Sequence, residues 1–137
     1  MGTDFEDAHH RHWTDAELLF DSGHLANADH LYGLAAECGL KTLMYAWGMQ
    51  YDNQKDKPVD RDDRQHADGI WQRYEHYRQG QAAAHYQLSA PTPFADWGIH
   101  QRYWSHRCFD TPTVEKHRQG AEEVREVLRQ ARWEGWL

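Results

Sequence analysis

Hydrophobic and polar positions along the chain repeat with helical rather than strand spacing. Residues 14–17, TDAE, place a hydroxyl cap three residues before a carboxylate. That arrangement predicts a short first helix ending near Ser22-Gly23. Residues 25–47, LANADHLYGLAAECGLKTLMYAW, are apolar nearly all round. Helical spacing puts Ala28, Leu31, Ala35, Cys38 and Tyr45 on one side, and Ala36, Leu40, Leu43 and Trp47 on another. Both sides are expected to be buried, which makes this the central helix, with Gly48 as its stop. Residues 49–63 read as a polar, proline-containing connection. A third helix is expected from near Asp63, on the apolar positions Ile70, Trp71, Tyr74, Tyr77, Ala84 and Leu88, until the prolines of SAPTPF break it. A short helix through residues 95–104 and a last one capped by Thr111, with Pro112 in its first turn, complete the pattern. Val114, Ala121, Val124, Leu128 and Ala131 form the buried stripe of that last helix, and Gly135 closes it.

Four or five helices with short connections predict an all-α, antiparallel up-and-down bundle. Residues 1–13, including the His9–His12 run HHRH, are expected to form a flexible tail ahead of a single domain spanning 14–137. No repeat or low-complexity segment is visible.

Composition agrees with helices. The 137 residues include only two Ile and four Val, against an abundance of Ala, Leu, Glu, Gln and Arg. The formal net charge of −7 does not advertise a nucleic-acid footprint, although a local basic patch is compatible with it. Eleven histidines make the charge sensitive to pH near 6. Cys38 and Cys108 match no metal or redox spacing, and reduced thiols in a cytoplasmic protein are the expectation. No run of 18 apolar residues exists, so no membrane span is expected. The N-terminus lacks the features of a secretory signal, and Glu6 breaks a myristoylation motif.

On the central helix, Asn27, His30, Leu34, Glu37 and Lys41 follow one another at intervals of three and four and share a ridge. Polar groups on a buried helix need partners. Asp96, Arg102, Tyr103, His106 and His66 are the candidates. A hydrogen-bonded seam, a ligand cleft, and a zinc site built from His30, His66 and His106 are three ways to satisfy the ridge. Phe94, Trp97, Tyr103 and Trp104, mixed with Arg102, suit either base stacking or a ring-rich end of the core. Trp133, Trp136 and Leu137 suit either a subunit interface or burial against the bundle. The run EKHRQGAEEVREVLRQAR reads as a solvated helix face.

The helix NADHLYGLAAECGLK (27–41), His66 at the third helix and QRYW (101–104) before the last helix resemble the HEPN domain family. The resemblance spans about residues 14–133. It implies a helical bundle, often homodimeric, of one of two kinds. Metal-independent ribonucleases of this group carry an Arg and a His with four to six residues between them, the Arg to hold phosphate and the His as acid or base. Arg61–His66 and Arg78–His85 have allowed spacings but stand in the wrong place. Arg102 and His106 stand in the right place, one residue short of the spacing. The other kind lacks the motif and binds a nucleotide, RNA or a protein partner such as a nucleotidyltransferase. The chain looks closer to this second kind, with no cofactor implied. Its expected site joins Asn27, His30, Glu37, Lys41 and Tyr103 to Arg102 and His106, the last two being the catalytic candidates if there is catalysis.

Overall fold

The computed structural model describes residues 2–80 and 86–137. Among the described residues four α-helices carry the fold: α1 (Phe5–Asp21), α2 (Leu25–Ala46), α3 (Ala67–Gln79) and α4 (Thr111–Trp133). A two-residue antiparallel pair, β1 (Tyr51–Asp52) with β2 (Lys57–Pro58), sits in the polar connection after α2. Short 3-10 turns occupy Arg61–Asp63, Ile99–Tyr103 and His106–Cys108. Among the described residues, no helix is long and apolar enough to cross a membrane.

The first helix starts at Phe5 rather than at Thr14. Asp4 is its cap, accepting a hydrogen bond from the Asp7 backbone N–H, and acidic Glu6 and Asp7 suit its first turn. The HHRH run therefore belongs to a helix and not to a solvated tail. His9 is fully buried, its Nδ1 2.7 Å from the Ala35 carbonyl, and burial lowers its pKa to about 4. The third helix starts at Ala67, because residues 61–63 close a 3-10 turn capped by Asp60. Leu88 is buried outside any helix, and the expected positions Ala84 and His85 lie outside the described residues. The last helix is capped by Asp110, one residue before Thr111; its carboxylate accepts from Thr113 N–H. The predicted stripe of α4 is buried throughout.

α2 is central, as its composition implies. Ala36, Leu40, Leu43 and Trp47 are buried together with Ala28 and Ala35, but Leu31 and Cys38 are only half covered and Tyr45 is 59% exposed. Two glycines allow close approach. A Cβ at Gly33 would overlap the Trp97 indole, and one at Gly39 would stand 2.5 Å from Val124 Cγ1. Contacts also fix directions. His9 meets Ala35 while Glu17 meets Tyr32, so α1 is antiparallel to α2. Asp29 meets His117 and Trp47 meets Trp136, so α4 runs in the same sense as α2. Glu37 meets His66 and Trp47 meets Tyr74, which gives α3 that sense too. The up-and-down expectation therefore holds for α1 alone. The connections before α3 and α4 are long, which leaves each of these helices free to start again from the same end of the bundle.

Candidate functional site

The ridge of α2 divides into three environments. At its C-terminal end Glu37 and Lys41 are buried, with Lys41 Nζ 2.9 Å from Glu37 Oε2. Glu37 Oε1 lies 2.9 Å from His66 Nδ1, where the chain enters α3. Burial works against the Glu37 carboxylate, but the His66 hydrogen bond and the Lys41 charge outweigh it and hold its pKa below the ordinary value. The same hydrogen bond raises the pKa of His66, which is half exposed at its side chain. A carboxylate only accepts, so His66 Nδ1 carries the shared proton and Nε2 remains available. Among the described residues Nε2 has no hydrogen-bond partner.

In the middle, His30 stacks on Trp97 with the rings 12° from parallel and 6.1 Å between centroids. Its Nδ1 is buried without a partner among the described residues. Burial, and after it the Arg102 charge, lowers the His30 pKa, while Asp29 and Glu37 pull the other way. At the N-terminal end Asn27 is exposed and shares a groove of about 480 Å³ with His24, His106, Arg107 and Phe109. The predicted residues are thus brought together in two groups: Glu37 and Lys41 with His66, and Asn27 with His106. His30 lies between them, near Arg102. The zinc reading is not met, for among the described residues no set of three His, Cys, Asp or Glu side chains is placed to hold a metal ion. Both cysteines are free.

Arg102 and Tyr103 lie at the surface. Arg102 Nη1 donates to the Ile99 carbonyl at 3.3 Å, and its guanidinium sits 4.7 Å over the Tyr103 ring. Tyr103 is 74% exposed and Trp104 52%. The aromatic stretch divides: Phe94 and Trp97 are core, while Tyr103 and Trp104 face solvent. Trp133 is exposed as well.

Residues outside the predicted set fasten this segment. Trp97 Nε1 donates to the Asp29 carbonyl at 3.0 Å, and Gln101 Nε2 donates to Asp29 Oδ2 at 2.6 Å. Asp29 Oδ1 meets His117 Nδ1 at 2.5 Å, and His117 Nε2 meets Asp96 Oδ1 at 2.7 Å. Lys116 adds a 2.6 Å contact to Asp96. His117 is 1% exposed. Burial opposes its protonated form, but the two carboxylates outweigh burial and raise its pKa. One helix face expected to be solvated thus hides an imidazolium between two acids. Asp96, expected across from the ridge, is spent on this knot. The signal for Asp29 was present as a carboxylate set, like Glu37, among apolar residues of the central helix.

The fastened segment is basic. Residues 97–109, WGIHQRYWSHRCF, contain Arg102, Arg107, His100 and His106 and no carboxylate, in a chain of net charge −7. No family model matches the chain, and neither a curated protein nor a solved structure does. Residue chemistry and geometry alone therefore define the class, a helical protein with an exposed basic-aromatic segment pinned to its central helix.

Proposed function

We infer that the chain is a HEPN-like helical module that binds single-stranded RNA on residues 97–109, with no catalysis required of it. The observation that carries this reading is the joint exposure of Tyr103 and Trp104 beside Arg102 and Arg107, on a segment free of acidic side chains. Exposed rings give bases a stacking face, and guanidinium groups meet phosphates without reading sequence. Trp97 and Gln101 hold the segment against Asp29, so the rings are presented on a fixed base and less conformational freedom is lost on binding. A ribonuclease built on Arg102 and His106 has less support, because His106 lines the groove with Asn27 and Arg107 while Arg102 turns to the Ile99 carbonyl and the Tyr103 ring outside it.

Fluorescence anisotropy with a short labelled RNA tests the reading. Binding is expected to weaken with salt, and Arg102→Gln or Arg107→Gln should each flatten the log–log salt slope by about 0.7. Affinity independent of salt and of both arginines would exclude it. RNA is expected to remain intact during the titration in EDTA.

A further inference from the structure

A cavity of about 370 Å³ lies at the C-terminal end of α2, away from the basic segment. Along the helix axis, Asn27 in the basic groove and Tyr45 in this cavity are about 27 Å apart. Its walls come from the start of α1, the last turn of α2, β1 and the stretch after α4. The volume suits a small molecule.

Four rings line it: Phe5, Tyr45, Tyr51 and Trp136. Packing behind them holds three in place. Phe5 and Tyr51 meet edge to face at 5.7 Å, and Trp136 meets the buried Trp47 edge to face at 6.1 Å. The Tyr51 hydroxyl donates to Asp56 Oδ1 at 2.7 Å. Tyr45 and Trp136 are exposed, so their surfaces are open to a ligand.

The charge around these rings is negative. Asp4 and Glu6 line the cavity, and among the described residues no basic side chain does. The nearest cations are already engaged. Arg132 pairs with Glu6; Lys41, 6.0 Å from the Phe5 centroid, pairs with Glu37. Asp4 spends one oxygen on capping α1 and makes no ion pair among the described residues. Thr42, Tyr45 and Ala46 bring the negative end of the α2 dipole to the wall. The positive end of α1 is offset by Asp4, Glu6 and Asp7.

Ring faces attract a cation, and an alkylated ammonium also offers them an apolar surface. An anion would meet two carboxylates and no donor cation. We propose that this cavity binds a small, free organic cation with a quaternary ammonium head, the rings enclosing the head and Asp4 supplying the opposite charge. The proposal does not depend on the RNA reading, which concerns the other end of α2.

The experiment titrates the full chain by calorimetry with choline and with 3,3-dimethylbutan-1-ol, which has the same shape with carbon in place of the charged nitrogen. Choline should bind, and the neutral isostere should bind about tenfold more weakly or not at all. Tyr45→Ala and Trp136→Ala remove exposed rings and should each weaken choline binding about three- to tenfold. Tyr45→Phe keeps the ring and should keep the affinity. Asp4→Asn removes the charge but not the cap, since Asn caps a helix as well as Asp does, and should weaken binding about threefold. In NMR spectra the ring resonances of Tyr51 and Trp136 should shift on adding choline, while those of Trp104 should not. Equal affinity for choline and its isostere would make the cavity an apolar slot and overturn the proposal. So would the absence of choline binding, or binding that survives Tyr45→Ala, Trp136→Ala and Asp4→Asn unchanged. A peptide bearing trimethyl-lysine that binds where choline does not would also overturn it, in favour of a protein ligand.

Discussion

Two carboxylate–imidazole clusters flank α2, built from the same parts and finished differently. In one, Asp29 and Asp96 occupy both nitrogens of His117, and the ring is sealed from water. In the other, Glu37 occupies only Nδ1 of His66, and the ring stays half exposed. The first cluster ties residues 94–101 to α2 and α4 and has nothing left to offer a ligand. The second holds its imidazole in place and leaves an edge open. The difference teaches how to weigh polar groups on a packed helix: a fully satisfied set is a fastening, and a set with one oriented valence left over is a candidate site.

The comparison is broken most forcefully at the closed cluster. His117→Ala leaves Asp29 buried opposite no cation, and should cost about 3–5 kcal/mol by urea denaturation. The same variant should weaken RNA binding, because the basic segment loses part of its anchorage. A cost no larger than that of a surface substitution would mean the knot is not a fastening. Next comes the packing beneath the segment. Gly33→Ala drives a methyl group into the Trp97 indole and should destabilise by roughly 1–3 kcal/mol, read as a lowered denaturation midpoint.

At the exposed rings the effect moves from stability to binding. Tyr103→Ala and Trp104→Ala should each lose about 1–3 kcal/mol of RNA affinity if a base stacks there. Their stability should stay within about 0.5 kcal/mol of the parent.

The smallest effect belongs to the open cluster. His66→Asn should destabilise by less than about 1 kcal/mol, because His66 is half exposed and its pair is screened. The sign with pH is fixed by the shifts. The His66 pKa is raised, so its contribution is fully present below its ordinary value and is lost as pH rises through the raised one. The Glu37 pKa is lowered, so its contribution is present above the ordinary carboxylate range and is lost as pH falls through the lowered value. The difference in midpoint between the parent and His66→Asn should therefore vanish on the alkaline side. A difference that grows there would contradict the hydrogen-bonded geometry.

Much of this was legible in the sequence, for reasons that differ between elements. The α2 ridge could be read because its spacing of three and four survives any register, and His66 was named as one of its possible partners. The α4 stripe could be read because five apolar positions repeat through a charged helix. Helix α1 began earlier than its capping box suggested. Asp4 is as good a cap as Thr14, and the histidines that follow look like a solvated tail until His9 is seen against the Ala35 carbonyl. The antiparallel start from α1 to α2 could be read from their short connection, whereas the directions of α3 and α4 could not, since the long connections before them carry no local preference for either sense. The His117 knot was missed although His117, three after Val114 and four before Ala121, falls on the buried stripe of α4, because an imidazole inside a run of charges was read with the solvated face. Asn27 and His106 do share a groove, but a residue spacing does not reveal that Glu37 and Lys41 sit with His66 instead.

The central claim is that the pinned, acid-free segment is where RNA binds. Anisotropy of one labelled single strand, titrated with the parent and with the Tyr103→Ala/Trp104→Ala double variant at matched stability, tests it directly. The account predicts salt-sensitive binding by the parent and a loss of tenfold or more in the double variant. Equal affinities for the two proteins, or no binding by either, would contradict it.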